Sequence, residues 1–436
     1  MDKTPVSIFW FRRDLRLDDN AGLYHALKGP NPVLPVFIFD KDILDRLDDR
    51  DDARVTFIHK IIIALDDKLQ QLGSSVLVVH DKAADAWQTL LSKYNVTAVY
   101  TNHDYEPAAK KRDAAIAHLL THHNIPFYTY KDQVIFEKGE VLKDDGKPYT
   151  VFTPYSRKWR QTLNAFYLEA YPNKKYFANF YKTKAFPIPS LKQIGFEKSD
   201  REFPAINYKE YIADYASKRD FPAIKGTTHI GLHLRFGTVS IRELAQAANE
   251  SEEKTWLNEL IWREFYMMIL HHFPHTADHA FRPEYDRIKW VNNETQFTAW
   301  CNGETGFPLV DAGMRELNAT GYMHNRVRMV VASFLSKDLL IDWRWGERYF
   351  ARKLLDYELA SNVGGWQWAA GSGTDAAPYF RIFNPDSQLK KFDPDLKYIK
   401  KWVPEYADFS KYPQPIIDHA VARDRCLKVF KEALSG

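Results

Sequence analysis

The stretch from Asn362 to Asp393 concentrates residue types that could do chemistry. Its sequence, NVGGWQWAAGSGTDAAPYFRIFNPDSQLKKFD, combines paired glycines, two tryptophans one residue apart and a closing group of cations. Glycines let the backbone turn sharply or approach a flat ligand, and Trp366 and Trp368 offer wide aromatic faces. Arg381 and the two lysines after it suit phosphate groups. The alternative interpretation is a glycine-rich loop that closes a helical core.

Two predicted helices carry charged and amide side chains within apolar sequence. In TWLNELIWREFYMMIL, one helix face would carry four residues three or four positions apart: Trp256, Glu259, Trp262 and Arg263. In HNRVRMVVASFL, the same spacing groups Asn325, Arg328 and Met329. Such groups need partners or a ligand, because an unpaired buried polar group is costly. A purely structural network, for example Arg328 with Asp356, would satisfy them equally well.

Composition bounds the class of protein. A chain of 436 residues exceeds the size at which single cores stop growing, so we expect two domains. No apolar run approaches the length of a membrane helix, and the N-terminus becomes charged too early for a signal peptide. Cys301 and Cys426 have no paired spacing, which predicts neither disulfides nor a metal site and favours the cytoplasm. The net charge of +3 does not by itself indicate a nucleic-acid partner.

The first 130 residues alternate β-branched or aromatic runs with helical patterns. This alternation predicts a doubly wound parallel sheet in an α/β domain. There is no GxGxxG after the first strand and no Walker sequence, so a standard dinucleotide or ATP site is not supported. The predicted strands are Val6–Phe11, Val33–Phe39, Val76–Val79, Val96–Tyr100 and Phe127–Tyr130, and the helices are Ala53–Leu72, Ala83–Tyr94 and Pro107–His123.

The rest of the chain divides into a connection and a helical domain. We therefore predict domains at residues 1–130 and 205–436, with a linker at 131–204 that holds some helix near Ser156–Glu169. Nine of the twelve tryptophans follow residue 250, which indicates a site that uses aromatic surfaces. The predicted helices of this part are Thr255–Phe273, Gly313–Thr320, Asn325–Leu335, Gly346–Leu359 and Ala420–Leu434.

Several segments, in order along nearly the whole chain, resemble the photolyase/cryptochrome family, and within it the class I cyclobutane pyrimidine dimer photolyases. Besides the stretch already quoted, they are FWFRRDLRLDDNAGL, RDFPAIKGTT, LNELIWREFY, GYMHNRVRM and SFLSKDLLIDWR. The resemblance implies an N-terminal α/β antenna domain, a long connecting loop and a C-terminal helical domain that binds FAD. It also implies UV-damaged DNA as the partner, no metal and a monomeric protein.

In the reaction that the resemblance implies, FADH⁻ absorbs a photon and transfers an electron to a pyrimidine dimer that is flipped out of the duplex. The cyclobutane ring then splits and the electron returns, without a general base or nucleophile. Glu259, Asn325 and Asn362 would act at the reaction centre, where Asn362 faces flavin N5. The implied flavin contacts are Tyr215, Thr227, Thr228, His229, Ile230, Gly231, Trp256, Glu259, Arg263, Asn325, Arg328, Asp356, Tyr357, Glu358 and Asn362.

Further residues would contact DNA or conduct electrons. Trp262, Trp368 and Met329 would line the dimer pocket beside Glu259 and Asn325, and the cations would contact the DNA backbone. The residues implied for the backbone are Arg219, Arg326, Arg381 and Gln388. The tryptophans implied for reduction of oxidised flavin are Trp366, Trp343 and Trp290.

The sequence departs from the family pattern at several positions. Gly231 lacks a hydroxyl that the phosphate-binding run usually has, Tyr322 replaces a tryptophan, and Val363 replaces an asparagine. Where folate-binding members have Asn-Glu, this chain has Ala108 and Ala109. The antenna chromophore therefore stays open among methenyltetrahydrofolate, a deazaflavin, a flavin or none.

Three rival functions remain at this point. A cryptochrome-type flavin photoreceptor is disfavoured by Asn362, where plant cryptochromes tend to carry Asp, and by the short segment after the last predicted helix. Repair of the six-four photoproduct uses a histidine pair near the flavin in related enzymes, whereas here His324 is followed by Asn325. A DNA-binding flavoprotein without turnover is the third.

Overall fold

Near-continuous apolar runs at the start of the chain form the middle of a five-stranded sheet. In the computed structural model, which describes residues 4–408 and 410–435, the strand order is β3-β2-β1-β4-β5 and every pairing is parallel. Strands β1 and β2 are buried almost throughout, as expected for a parallel sheet covered on both faces. The strands are β1 (Pro5–Phe11), β2 (Val33–Asp40), β3 (Leu77–Asp81), β4 (Asn95–Asn102) and β5 (Phe127–Tyr130). The predicted parallel α/β architecture is confirmed.

The chain forms two compact units. The first, which contains the sheet, comprises Met1–Glu137, Leu163–Ile206 and Ile230–Ala247. The second comprises Lys138–Thr162, Asn207–His229 and Ala248–Gly436. Helices α1 (Ala21–Leu27), α2 (Lys41–Leu44), α3 (Ala53–Gln71), α4 (Ala83–Lys93) and α5 (Pro107–His122) accompany the strands. The next helices are α6 (Phe152–Thr162), α7 (Ala165–Leu168), α8 (Lys209–Ile212), α9 (Tyr215–Lys218), α10 (Gly231–Phe236) and α11 (Ile241–Glu250).

The remainder of the second unit is helical, as predicted. One buried cluster of this unit gathers side chains from α13 to α19 and includes Trp300, Trp343 and Trp366. One turn of π-helix, Phe334–Asp338, continues α15. The helices are α12 (Thr255–His272), α13 (Glu294–Asn302), α14 (Pro308–Thr320), α15 (Asn325–Ser333), α16 (Trp343–Lys353), α17 (Leu359–Ala370), α18 (Pro385–Phe392), α19 (Lys397–Trp402) and α20 (His419–Ser435).

The predicted helix Gly346–Leu359 is wrong. Helix α16 ends at Lys353, residues 354–358 form a turn, and α17 begins at Leu359. The turn is fixed by its own carboxylates, because Asp356 and Glu358 accept from arginines of other helices. Local apolar periodicity does not report such long-range pairing.

The paired glycines of the Asn362–Asp393 stretch also differ from expectation, since they lie inside α17 and not in a turn or loop. Only Gly371, which follows the helix with φ +91°, makes the sharp reversal that the composition indicated. The helix predicted near Ser156–Glu169 is present as two helices, α6 and α7, separated where the Asn164 side chain caps α7.

The charged run that follows β1 forms ion pairs within the first unit. Arg13 pairs with Asp104 and Glu106, each at 3.2 Å, and Arg235 also pairs with Glu106. Burial disfavours the ionised form of Asp104, but the neighbouring arginines outweigh it and lower the pKa of this carboxyl to about 2. Within the described residues, no helix is both long and apolar enough to cross a membrane.

Candidate functional site

Helix α12 carries the four polar and aromatic residues that its spacing predicts on one face. Trp256 is buried and stacks parallel to Tyr208, with ring centroids 5.8 Å apart. One helical turn later, the Glu259 carboxylate accepts a hydrogen bond from the Arg219 guanidinium. Burial raises the pKa of Glu259, and the charge of Arg219 opposes that shift. Glu259 is thus a partly desolvated carboxylate held by a single cation.

Two ion pairs connect α12 and α15 to the turn before α17. The Arg263 Nε–H donates to Glu358 Oε2 at 3.0 Å, and Arg328 Nη2 donates to both carboxylate oxygens of Asp356, at 2.9 and 3.2 Å. Arg328 also donates to the carbonyl of Met323 at 2.7 Å. The Arg328–Asp356 pair considered from the sequence is therefore present. Each arginine is paired with a carboxylate, which offsets the cost of burying the charges. The two pairs also fix the turn before α17 in place.

The amide of Asn362 lies on the first turn of α17. Its Nδ2 donates to the carbonyl oxygen of Glu347 at 3.1 Å and to Glu347 Oε1 at 3.0 Å. The Tyr357 hydroxyl donates to the same carboxylate at 3.4 Å. Burial raises the pKa of Glu347, while these hydrogen bonds lower it. Sequence reasoning missed Glu347, because it lies one helix away from the motif that it supports.

Helix α15 begins with the polar residues that its sequence places there. The His324 ring accepts the backbone N–H of Arg326 and so caps the helix, whereas Asn325 is exposed. Arg326 pairs with Asp220 at 2.7 Å and lies over the ring of Phe392, with 4.4 Å from Cζ to the centroid. Its Nη1 also lies 3.8 Å from the sulfur of Met329.

The run from Thr227 to Gly231 divides between the units. Thr227 and His229 belong to the second unit, while Ile230 and Gly231 belong to the first, where Gly231 begins α10. The Thr227 hydroxyl lies 3.2 Å from the Tyr322 hydroxyl, and the His229 ring stacks on Tyr322 at 3.9 Å. Tyr322, the replacement noted in the sequence, thus has two partners in this run.

The other predicted flavin contacts near this run differ in backbone conformation and burial. His229 adopts a left-handed φ of 51°, which is unusual for a residue with a side chain. Tyr215 opens α9 and is buried, which raises the pKa of its hydroxyl. Thr228 lies between these residues in the same segment and is half-buried.

Trp262 is half-buried and contacts three aromatic rings. It stacks face to face on Phe152 at 3.7 Å, meets Phe265 edge-on at 5.6 Å and lies 5.5 Å from Tyr266. Sequence reasoning missed Phe152, since α6 lies in the segment interpreted as a linker, and missed Tyr266, although its spacing of four from Trp262 was a signal. Trp368 is half-buried on α17 and lies 6.4 Å from Phe383.

The three tryptophans of the implied electron path share one part of the second unit. Trp343 and Trp366 belong to the same buried cluster, and Trp290 packs against it and is half-buried. Trp366 lies 5.0 Å from Phe350, and a Cβ added at Gly346 would come within 2.1 Å of the Trp366 ring. The structure therefore brings together residues that are far apart in sequence.

The cations near the end of the Asn362–Asp393 stretch lie on α18 or just before it. Arg381 is exposed, and its carbonyl oxygen accepts a 2.8 Å hydrogen bond from the buried Lys337 ammonium. Gln388 lies on α18, and its buried Oε1 finds no hydrogen-bond partner among residues 4–408 and 410–435. Arg219, the fourth residue of this predicted group, is engaged by Glu259.

Comparison with known proteins identifies the two parts of the chain. Residues 7–175 match the family model described as DNA photolyase, and residues 256–411 match the one described as FAD binding domain of DNA photolyase. A relative from Synechococcus sp., named deoxyribodipyrimidine photo-lyase, is 37% identical over 98% of this chain and 96% of its own.

Two solved structures have the same fold over the whole chain. A class III photolyase from Agrobacterium tumefaciens has a TM-score of 0.87 and 31% identity, with 100% of this chain and 99% of the other covered. An archaeal photolyase from Sulfolobus tokodaii, solved with two FAD molecules, has a TM-score of 0.84 and 35% identity. That alignment covers 98% of this chain and 100% of the other.

Proposed function

The chain belongs to the DNA photolyase family, and we propose that it repairs cyclobutane pyrimidine dimers in UV-damaged DNA with the energy of absorbed light. It is an enzyme with FAD as its cofactor. The observation that carries the proposal is the double role of α12. This helix pairs Arg263 with Glu358, which would contact the cofactor in this proposal, and carries Glu259 and Trp262, which are groups suited to a flipped base.

The side chains of the second unit fit FAD. Thr227 offers a hydroxyl for a phosphate, and the carboxylates of Asp356 and Glu358 can accept hydrogen bonds from ribose or ring N–H groups. The amide of Asn362, held by Glu347, can meet a reduced ring without adding negative charge. When bound in its fully reduced form, FAD would supply the light-driven, reversible one-electron chemistry that dimer splitting needs.

The flavin-side residues act by position and charge. Arg263 and Arg328, each neutralised by a carboxylate, hold the turn at residues 354–358 and so fix the start of α17. Trp256 supplies an apolar surface stacked on Tyr208. The rest of the implied flavin contacts complete this set in the proposal: Tyr215, Thr228, His229, Ile230, Gly231, Asn325 and Tyr357.

On the substrate side, Glu259 is the hydrogen-bond acceptor for base N–H groups. Its partner Arg219 is half-buried and can exchange this carboxylate for a DNA phosphate, which leaves Glu259 available to the dimer. Asn325, exposed at the start of α15, offers a side-chain amide to the dimer in this proposal. Trp262 and Trp368 provide the stacking walls, and Met329 an adaptable apolar contact.

In this proposal, different side chains contact the DNA backbone and conduct electrons. Arg326, Arg381 and Gln388 contact the DNA backbone in this proposal, with Arg326 leaving Asp220 when a phosphate arrives. Trp290, Trp343 and Trp366 would conduct electrons toward the cofactor in this proposal, from the half-buried Trp290 to the buried Trp366. The enzyme acts as a monomer. Its two free cysteines, whose thiol pKa values burial raises to about 12, support a reducing, cytoplasmic location.

The decisive experiment is repair of defined DNA by the reduced enzyme under blue light. One substrate carries a cyclobutane dimer and a second carries a six-four product, each with a dark control. We expect light-dependent loss of the cyclobutane dimer alone. Loss of only the six-four product would change the substrate, and no repair of either by photoactive, FAD-loaded protein would refute the enzymatic function.

A further inference from the structure

Helix α6 lies along α12 and covers one face of Trp262. The two helices meet at several places: Phe152 stacks on Trp262, Tyr155 lies 5.2 Å from Phe265, and the Trp159 indole N–H donates to Glu264 Oε1 at 2.5 Å. The Arg160 guanidinium also donates to the Asn258 side-chain oxygen. Trp159 and Glu264 are both buried. The contacts with Trp262 are therefore part of a continuous helix–helix interface and not an isolated surface collision.

The ring of Phe152 is itself held in place. Its plane lies within 5° of the Trp262 plane at a centroid distance of 3.7 Å, and only 9% of the residue is exposed. Phe265 meets the same ring edge-on at 5.9 Å. The Phe152 backbone N–H, at the first position of α6, donates to Asp375 Oδ2 at 3.2 Å.

We propose that Phe152 is a positioning residue that fixes the Trp262 indole and leaves only its opposite face for a base. The inference rests on the proposed contact between Trp262 and the dimer. With one face covered, Trp262 can stack on a single base from one side. The indole is also ordered before DNA arrives, so binding loses less conformational freedom.

The expected effect is selective for damaged DNA. Ordering one interface side chain on binding costs an amount that corresponds to about 3- to 10-fold in an equilibrium constant, and Phe152 removes this cost by holding the indole in advance. Phe152→Leu should therefore weaken binding of dimer-containing DNA by about that factor, with little change for undamaged DNA. Phe152→Tyr keeps the ring face and should bind dimer-containing DNA like the wild type.

The experiment measures dissociation constants of the FAD-loaded protein for dimer-containing and undamaged duplexes, together with flavin content and near-UV circular dichroism. The variants are Phe152→Leu, Phe152→Tyr, Trp262→Ala and the double variant of Phe152→Leu with Trp262→Ala. Phe166→Leu, a change at an exposed phenylalanine of α7 in the first unit, is the control. If Phe152 acts through Trp262, the double variant binds the dimer no more weakly than Trp262→Ala.

The outcomes separate the two proposals. Unchanged dimer affinity in Trp262→Ala, with FAD retained, would refute the proposed role of Trp262 itself. A normal loss in Trp262→Ala combined with wild-type binding by Phe152→Leu would overturn only the positioning role. Additive losses in the double variant, or equal weakening for damaged and undamaged DNA, would also overturn it, because Phe152 would then be an ordinary packing residue.

Discussion

Asn362 shows how a single amide supports a buried carboxylate. It supplies two hydrogen bonds to Glu347, one to the carbonyl and one to the carboxylate. Burial raises the pKa of Glu347, and the hydrogen bonds from Asn362 and Tyr357 oppose that shift. The family resemblance identified Asn362, but its partner could be found only when the fold placed α16 beside α17.

Asn362→Asp is expected to destabilise the protein in a pH-dependent way. The change removes both donors and places two carboxylates side by side, which raises their pKa values further. A raised carboxyl pKa gives stability that is present at low pH and lost as pH rises through the folded-state value. We expect a loss of about 1–3 kcal/mol at pH 8, and a smaller loss at pH 5, where a larger fraction of the two raised carboxyls is protonated.

Urea unfolding of the FAD-loaded protein at both pH values checks this prediction. Asn362→Ala is the matched control, since it removes the donors without adding a charge, and its loss should differ less between the two pH values. An Asp variant that is equally destabilised at pH 5 and pH 8 would contradict the expected charge repulsion.

Trp290→Phe is expected to slow photoreduction of oxidised flavin by roughly tenfold or more, about 1.4 kcal/mol in the apparent barrier. Repair by pre-reduced enzyme should be unchanged, because that reaction does not use the surface end of the path. Phenylalanine preserves a ring against Phe430, whose centroid lies 6.0 Å from that of Trp290. Flash photolysis of oxidised protein and repair by reduced protein measure the two effects separately.

Trp402→Phe serves as the control. Like Trp290, Trp402 is partly buried and packs against the cluster that contains Trp343 and Trp366, but it has no proposed role. Loss of repair as well as photoreduction in Trp290→Phe would assign Trp290 a structural role.

At the scale of elements, α17 explains why glycines stand in the middle of a helix. A Cβ at Gly364 would lie 2.2 Å from Tyr266 Cδ1, whereas a Cβ at Gly365 meets no described atom within 4 Å. Gly364 thus permits α17 to approach α12 beside Trp262. Sequence composition indicated a close backbone approach, but it could not tell which glycine makes it or that the partner is a tyrosine.

The two neighbouring glycines therefore give opposite expectations. Gly364→Ala should cost about 1–3 kcal/mol, because the Tyr266 ring must move. Gly365→Ala should stabilise the helix by about 0.5–1 kcal/mol, since alanine has the higher helix propensity. Urea unfolding of both variants measures the difference. Equal effects of the two changes would contradict the close packing of α17 on α12.

Elements were predictable where their reasons are local. The parallel strands follow from continuous apolar runs, and α12 and α15 follow from their spacing. The break between α16 and α17 was not predictable from periodicity, because it depends on ion pairs with Arg263 and Arg328. The role of α6 was hidden for the same reason: its aromatic residues acquire a partner only when α12 lies beside them.

At the scale of the whole molecule, a net charge of +3 gives little general attraction to DNA. Affinity must then come from a few cations at the site, and these differ in availability. Arg219 and Arg326 are paired with Glu259 and Asp220, so part of their interaction with phosphate replaces an existing ion pair. Arg381 is exposed, with its backbone held by Lys337.

Arg381→Gln is therefore expected to reduce the slope of log K against log salt by about 0.9 for duplex DNA, the value for one released counterion. It should weaken damaged and undamaged DNA alike, because a phosphate contact carries no sequence or lesion information. Lys93→Gln, at an exposed position of α4 in the first unit, removes the same charge and should leave the slope unchanged. Titrations of DNA at several salt concentrations measure the slopes of the wild type and both variants. Equal slopes for the wild type and Arg381→Gln would exclude Arg381 from the DNA contact. Equal reductions of the slope in both variants would mean that overall charge governs binding.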